Sequence, residues 1–214
     1  DMPDEALVER EAITVVLSKM GWLRALRGHG HARADIKYRD GDAGRYVVPA
    51  YTTDKLLILT DQGRCHTVGA DRLPSGRGFG EPLSLTVELA AGAKVIAVFV
   101  AQKDGRRLLA ANDGRGFVCP EVEMISNQKA GKQVLNPGKG AVASVAYAIK
   151  PNHDAVAVVG ENKKVLMFPL AELPEMAKGR GVKLQHFAKG GMSDVKTFTR
   201  ADGLTWAWGQ DKTR

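Results

Sequence analysis

Glycine is interleaved with arginine or lysine in three loops: Ser75-Gly76-Arg77-Gly78-Phe79-Gly80, Asn127-Gln128-Lys129-Ala130-Gly131-Lys132 and Lys178-Gly179-Arg180-Gly181-Val182-Lys183. Such residues suit the holding of a polyanion: glycine lets backbone amides approach phosphates closely, and the long cations neutralise them. The basic residues Arg77, Lys129 and Lys178 each fall 14 or 15 positions past a tight turn, so equivalent loops carry equivalent charge. Turns and strand ends add Arg24, Arg27, Arg64, Arg72, Arg115 and the pair Lys163-Lys164. A lone Arg-Gly in a surface loop is ordinary solvated charge; recurrence in phase is what points to nucleic acid. Together with Lys132, Arg180 and Lys183 these residues are expected to form one continuous positive stripe. Few aromatics accompany them, which favours the backbone of a duplex over stacking on single-stranded bases.

Other chemistry finds little footing. Gly76-Arg77-Gly78-Phe79-Gly80 has the wrong glycine spacing for a dinucleotide fingerprint, and Gly131-Lys132 lacks both the leading Gly and the following Ser or Thr of a P-loop. His29 and His31 with Asp35 are too sparse for a convincing metal site, and a mobile glycine loop explains them better. No nucleophile elbow or Cys–His pairing with an orienting third group can be picked out, and the carboxylates are scattered at turns where capping accounts for them. The chain is therefore read as having no catalytic residue, no metal ligand and no cofactor of its own.

The elements that position the basic loops repeat as well. Apolar run, polar tight turn and second apolar run recur around Gly21, Gly63, Gly114 and Lys163, with a fifth unit, TWAWGQDKTR, cut short around Lys212. The turn centres are 42, 51, 49 and 49 residues apart, and a period near 50 means propeller blades or an array. Val15–Leu17, Leu57–Leu59, Leu108–Ala110 and Ala157–Val159 are short continuous apolar runs, as in strands packed on both faces. Asp61-Gln62-Gly63, Asn112-Asp113-Gly114 and Glu161-Asn162-Lys163 supply the tight turns of β-hairpins. Connectors ending at Leu73-Pro74, Met124-Ile125 and Leu173-Pro174 read as single helical or bent turns, and TVELAAGAKVIAVFVAQ and VASVAYAIK as further strands completing a four-stranded sheet per repeat. An all-β architecture of four to five radially arranged sheets follows, because a hairpin cannot bury its apolar face alone. Residues 1–12, rich in acids, read as a linker from a preceding region, and 13–214 as the DNA-binding domain.

Bulk properties agree. The 214 residues are 44% hydrophobic, enough for a sizeable core and a poor fit to disorder. Lys and Arg number 31 against 24 Asp and Glu, a net charge of +7 that permits a polyanionic partner. No apolar stretch reaches the roughly 20 residues needed to span a bilayer, and DMPDEALVEREA does not read as a signal peptide, so membrane insertion is not expected and the cytoplasm is. Cys65 and Cys119 lie inside predicted strands, where they serve as small buried apolar residues. The opening Asp and the broken fifth repeat suggest a piece of a longer polypeptide.

The strings TVVLSKMGWLRALRGH (14 to 29), LPSGRGFGEPL (73 to 83), GFVCPEVEMISNQKAGK (116 to 132) and VLMFPLAELPEMAKGRGVK (165 to 183) resemble the C-terminal domain of the A subunit, ParC, of bacterial DNA topoisomerase IV. The resemblance implies a β-pinwheel, a propeller-like disc of about five blades that exchange strands, here with the last blade truncated, whose basic edge binds and bends duplex DNA. It also implies that cleavage resides in the ParC amino-terminal region and ATP hydrolysis in the partner subunit ParE. Mg and ATP would then serve the A2B2 holoenzyme in relaxation, decatenation and chromosome segregation, in the cytoplasm and at the nucleoid. The related gyrase domain, the alternative, carries a Gln-Arg-Arg-Gly-Gly-Arg-Gly type box where this chain has GHGHARADIKYRDGD, which favours topoisomerase IV. A protein-interaction propeller and a ligand-binding or enzymatic propeller are the rivals from other classes.

Overall fold

The structure, a computed structural model, describes residues 8–184 and 191–204. Fifteen strands follow in chain order: β1 (Ala12–Ser18), β2 (Trp22–Arg27), β3 (Gly44–Tyr51), β4 (Lys55–Thr60), β5 (Arg64–Gly69), β6 (Glu81–Pro82), β7 (Val95–Val100), β8 (Arg106–Ala111), β9 (Arg115–Pro120), β10 (Lys132–Gln133), β11 (Ala143–Ile149), β12 (Ala155–Gly160), β13 (Val165–Pro169), β14 (Val182–Lys183) and β15 (Met192–Phe198). They form antiparallel sheets in the orders β3-β1-β2-β6, β10-β5-β4-β7, β11-β8-β9-β14 and β13-β12-β15. The expected hairpins are the inner pairs β1–β2, β4–β5, β8–β9 and β12–β13. Between elements, the connectors Ala70–Arg72, Glu121–Met124 and Leu170–Glu172 are single 3-10 turns.

Each first hairpin strand lies between two neighbours and is packed on both faces, which is why Leu56, Leu57, Ile58 and Leu59 are all 0% exposed. The strand after the hairpin pairs back onto it, and the register slips by one residue near the turn end every time, at Leu17/Ser18, Leu59/Thr60, Ala143/Val145 and Val159/Gly160. Lys163, with φ 64°, takes the left-handed turn position that glycine holds in the other hairpins, at Gly21, Gly63 and Gly114.

Two details depart from the sequence reading. The run from Thr86 to Gln102 is a strand only over Val95–Val100; Thr86–Lys94 is irregular and turns at Gly92, φ 72°. The strand Gly44–Tyr51 went unread because Pro49 interrupts it, and it occupies the edge of its sheet, where a missing amide is tolerated. Residues 1–7, within the expected linker, and the fifth repeat lie outside the described residues.

The fourth strand of a sheet comes from far downstream. β6 lies on β2 with Leu23 opposite Glu81, and β14 lies on β9 with Gly116 opposite Val182. A glycine in the left-handed region sits where each incoming segment crosses: Gly80 (φ 85°), Gly131 (φ 73°) and Gly181 (φ 78°). A β-carbon there would stand 2.2, 2.6 and 2.1 Å from the carbonyl oxygens of Leu23, Cys65 and Gly116. Three of the basic-loop glycines are thus required by close backbone approach. Among the described residues no strand lies on the outer edge of β13, and there Val165, Leu166 and Met167 are 52%, 43% and 59% exposed.

The chain divides into two compact units. The first comprises the residues up to Thr60, Arg64–Gln102 and Ile125–Lys132, with a core that includes Val15, Leu23, Leu56, Ile58, Leu83 and Val87. The second comprises Asp61–Gly63, Lys103–Met124 and the residues from Gln133 on, with a core that includes Leu108, Val118, Val156, Val158, Leu184 and Val195. Full burial of one such aliphatic side chain contributes roughly 1.5–3 kcal/mol. In the second unit Arg107 Nε donates to Glu121 Oε2 at 3.0 Å in a largely buried pair. Cys65 and Cys119 are both buried and unbonded to one another.

Candidate nucleic-acid interface

In the first unit the basic residues gather at the far ends of the hairpins. Arg27, at the end of β2, shares a cleft of about 660 Å³ with Arg77, His31, Ser75 and Gly76. Ser75 bridges to Ala25 in parallel fashion, and this contact brings the loop carrying Arg77 alongside Arg27. Arg72 and Lys129 line a second cleft of about 540 Å³ with Thr67, Asn127 and Gln128, and Glu81 supplies one opposing charge. Arg27, Arg72, Arg77 and Lys129 are all exposed. Paired cations beside amide and hydroxyl donors suit a phosphodiester oxygen.

Two arginines from the expected stripe serve the fold instead. Arg24 is 6% exposed; its Nη1 donates to Gly78 O at 2.6 Å and its Nη2 to Lys37 O, and the guanidinium stands 5.7 Å from the Tyr38 ring. Arg64 Nε donates to Ala130 O at 2.5 Å. Both hold a basic loop by its carbonyls. Their position just past a tight turn reads as surface, but the incoming segment covers that face of the hairpin. His66 acts alongside Arg64: its Nδ1 lies 3.1 Å from Lys129 O, and burial, with the Arg64 charge adding to it, holds the imidazole below its usual range while the Lys129 hydrogen bond opposes.

In the second unit Arg115 and Lys183 are direct partners across β9 and β14, and Lys178 and Lys183 are exposed. Arg180 is engaged: its Nη2 donates to Asp113 Oδ2 at 3.2 Å. Lys163 and Lys164 project from the β12–β13 turn as exposed residues, and Lys132 begins β10 half-buried.

A further group escaped the sequence reading. Lys19, Arg45 and Lys94 line a cleft of about 330 Å³ floored by Leu17, Pro82, Leu83, Leu89 and Val95, beside the β1–β2 turn. Arg45 Nη2 donates to Val95 O at 2.5 Å and its guanidinium stands 5.1 Å from the Tyr46 ring, whose hydroxyl burial pushes above its ordinary value. These cations come from three separate segments, so no local spacing announces them. His29 and His31 make hydrogen bonds to the backbone carbonyls of Ala50 and Arg27, 2.8 and 2.7 Å away.

No family model matches the chain. Among curated proteins it is 45% identical over 206 residues to the A subunit of DNA topoisomerase 4 from Caulobacter vibrioides, 41% over 201 residues to that of Rickettsia bellii and 30% over 183 residues to that of Escherichia coli. These alignments take in 96%, 94% and 86% of this chain but 27%, 27% and 24% of the relatives, so the chain spans about a quarter of their length. Among solved structures, the E. coli ParC C-terminal domain matches with a TM-score of 0.84 at 28% identity, over 89% of this chain and 80% of that one. A DNA topoisomerase IV C-terminal domain matches at 0.76 and a DNA gyrase A C-terminal domain at 0.58, over 90% and 87% of this chain and 63% and 65% of theirs. At 16% and 18% identity those two show the fold alone. Hairpin sheets completed by strands from downstream, together with relatives that share nearly the whole chain, place it in the family of C-terminal β-pinwheel domains of bacterial topoisomerase IV A subunits.

Proposed function

We propose that this domain binds duplex DNA by its phosphates and presents it, bent, to the rest of a type IIA topoisomerase. The observation that carries the reading is the pairing of cations from different repeats, Arg27 with Arg77, Arg72 with Lys129 and Arg115 with Lys183. Like charges held together weaken a fold unless an anion offsets them, and the phosphate backbone is such an anion. Bending a site of 20 to 30 base pairs by 40 to 90° costs roughly 1–6 kcal/mol, so several contacts must act together. No recognition helix is present among the described residues to enter a groove, and binding of this kind has little sequence preference and a strong salt dependence.

In this reading the domain does no chemistry. Cleavage belongs to the ParC amino-terminal region, ATP and Mg serve the A2B2 holoenzyme with ParE, and the domain's contribution is to relaxation and decatenation at the nucleoid. The test replaces Arg77, Lys129 and Lys183 together with Ala and measures binding of a linear duplex over a salt series. Loss of about 0.9 in the slope of log K against log salt for each contact is expected. Wild-type affinity and slope in a folded variant would overturn the reading.

A further inference from the structure

In the first three hairpins the residue three positions past the turn lies where the incoming basic segment crosses, and its chemistry changes from repeat to repeat. It is Arg24 under the loop of Arg77, His66 under the loop of Lys129 and the buried Phe117, next to Gly116 on which Val182 lies. Of these only histidine can change charge near neutral pH. We propose that His66 is a positioning residue that, in its neutral Nδ1–H form, clasps the Asn127–Lys132 loop and makes its grip on a phosphate backbone sensitive to protons. This rests on the DNA-binding reading for its consequence, though not for the clasp itself.

The geometry fixes the tautomer. Lys129 O can only accept, so Nδ1, 3.1 Å away, carries the hydrogen. The same carbonyl takes the Glu88 amide at 3.1 Å. Nε2 is then a bare lone pair, and among the described residues it is the buried side-chain nitrogen or oxygen without a hydrogen-bond partner. The ring is 1% exposed and Gly131 packs directly on it. A proton on Nε2 would create a donor and a positive charge with no acceptor, beside Arg64 two residues earlier on β5. The other charges nearby on the covering loop, Lys129 and Lys132, are also positive, the backbone-bonded Glu88 is exposed, and β4 offers the apolar Ile58 opposite. Relief requires Nε2 to reach water, and on the ring edge beside it Gly131 of the covering loop lies over Nδ1 and Cε1.

Burial and Arg64 keep the imidazole below its ordinary 6.5, so the folded clasp is intact above that value and loosens as pH falls beneath it. The test uses the 214-residue chain. Nitrogen-detected NMR of the histidine rings should show the Nδ1–H tautomer at pH 7.5. Protection of the amides of residues 128–131 against exchange, taken relative to the intrinsic rate at each pH, should fall as His66 titrates. Duplex affinity, followed by anisotropy over a salt series at pH 7.5 and again at pH 5.5, should lose about 0.9 in salt slope for each lysine contact given up. His66→Asn keeps a donor without the titration and should bind as wild type at pH 7.5 with a flat profile; His66→Phe, which copies the Phe117 of the next repeat, should be flat and weaker. An Nε2–H tautomer, or loop exchange indifferent to the titration, overturns the proposal even if His66→Phe fails to fold. If Lys129→Ala leaves affinity unchanged while exchange still follows the titration, the clasp stands and the DNA reading fails at this loop.

Discussion

Arg115 and Lys183 stand opposite one another where β14 lies on β9. Residues so paired have Cβ atoms about 5 Å apart, and like charges in that position oppose folding. A two-residue strand drawn from 68 positions downstream brings the second cation there, so the cost belongs to the same exchange that builds the sheet.

Neutralising either partner should therefore move stability and binding in opposite directions. Lys183→Gln is expected to leave the urea midpoint unchanged or raise it slightly, a gain of about a few tenths of a kcal/mol, while lowering the salt slope of duplex binding by about 0.9. A variant that loses stability and keeps full binding would show that Lys183 serves packing.

Arg24 and Arg27 should separate in the contrary sense. Arg24 is buried with its fork on two carbonyls, so Arg24→Ala leaves both acceptors wanting and should cost at least about 2 kcal/mol. Lysine cannot span both carbonyls, so Arg24→Lys should recover only part of the loss. Exposed Arg27→Ala should stay within about 0.5 kcal/mol of wild type and still reduce duplex affinity. Chemical denaturation of the three variants decides it, and equal midpoints for Arg24→Ala and Arg27→Ala would remove Arg24 from the scaffold.

That division marks how far local spacing can be read. Hairpin strands such as Leu56–Thr60 announce themselves because burial on both faces demands an unbroken apolar run, and the turns because Gly63 and Gly114 must adopt positive φ. The recurring basic loops were legible for the same reason. What stayed hidden is the partner of each loop. Nothing near Arg24 or Arg64 in sequence shows that Gly78 or Ala130 will cover it, since those contacts cross 54 and 66 residues. The cleft of Lys19, Arg45 and Lys94 was missed likewise, being assembled from three unrelated segments.

Acid should weaken the second unit through His153. Its Nδ1 accepts the Lys150 amide at 3.2 Å and lies 2.7 Å from Thr197 Oγ1. Burial first, then the charges of Lys150 and Lys196, hold the ring below its ordinary 6.5, with Asp154 opposing. The unfolded chain thus takes the proton first, and the stability from the neutral ring is complete above pH 6.5 and declines as pH falls through the folded value. Urea midpoints of wild type and His153→Gln, compared from pH 8 to 5.5, should converge at the acid end. Parallel curves would mean that His153 titrates alike in both states.

The exchanged strand can be tested at its crossing point. Gly181 has φ 78°, and a β-carbon there would stand 2.1 Å from Gly116 O and 2.4 Å from Gly116 C, both fixed in β9. Gly140 has a similar φ, 74°, with nothing within 4 Å. Left-handed backbone alone costs a non-glycine residue about 1–2 kcal/mol, and forcing a packed crossing apart adds about 1–3. Gly140→Ala should therefore cost about 1 kcal/mol and Gly181→Ala about 3 or more. Because Gly181 also sets where Lys183 meets Arg115, its variant should lose duplex affinity under conditions where it is still folded, and Gly140→Ala should not. Equal stability losses in the two variants would mean that β14 does not cross β9 at this glycine.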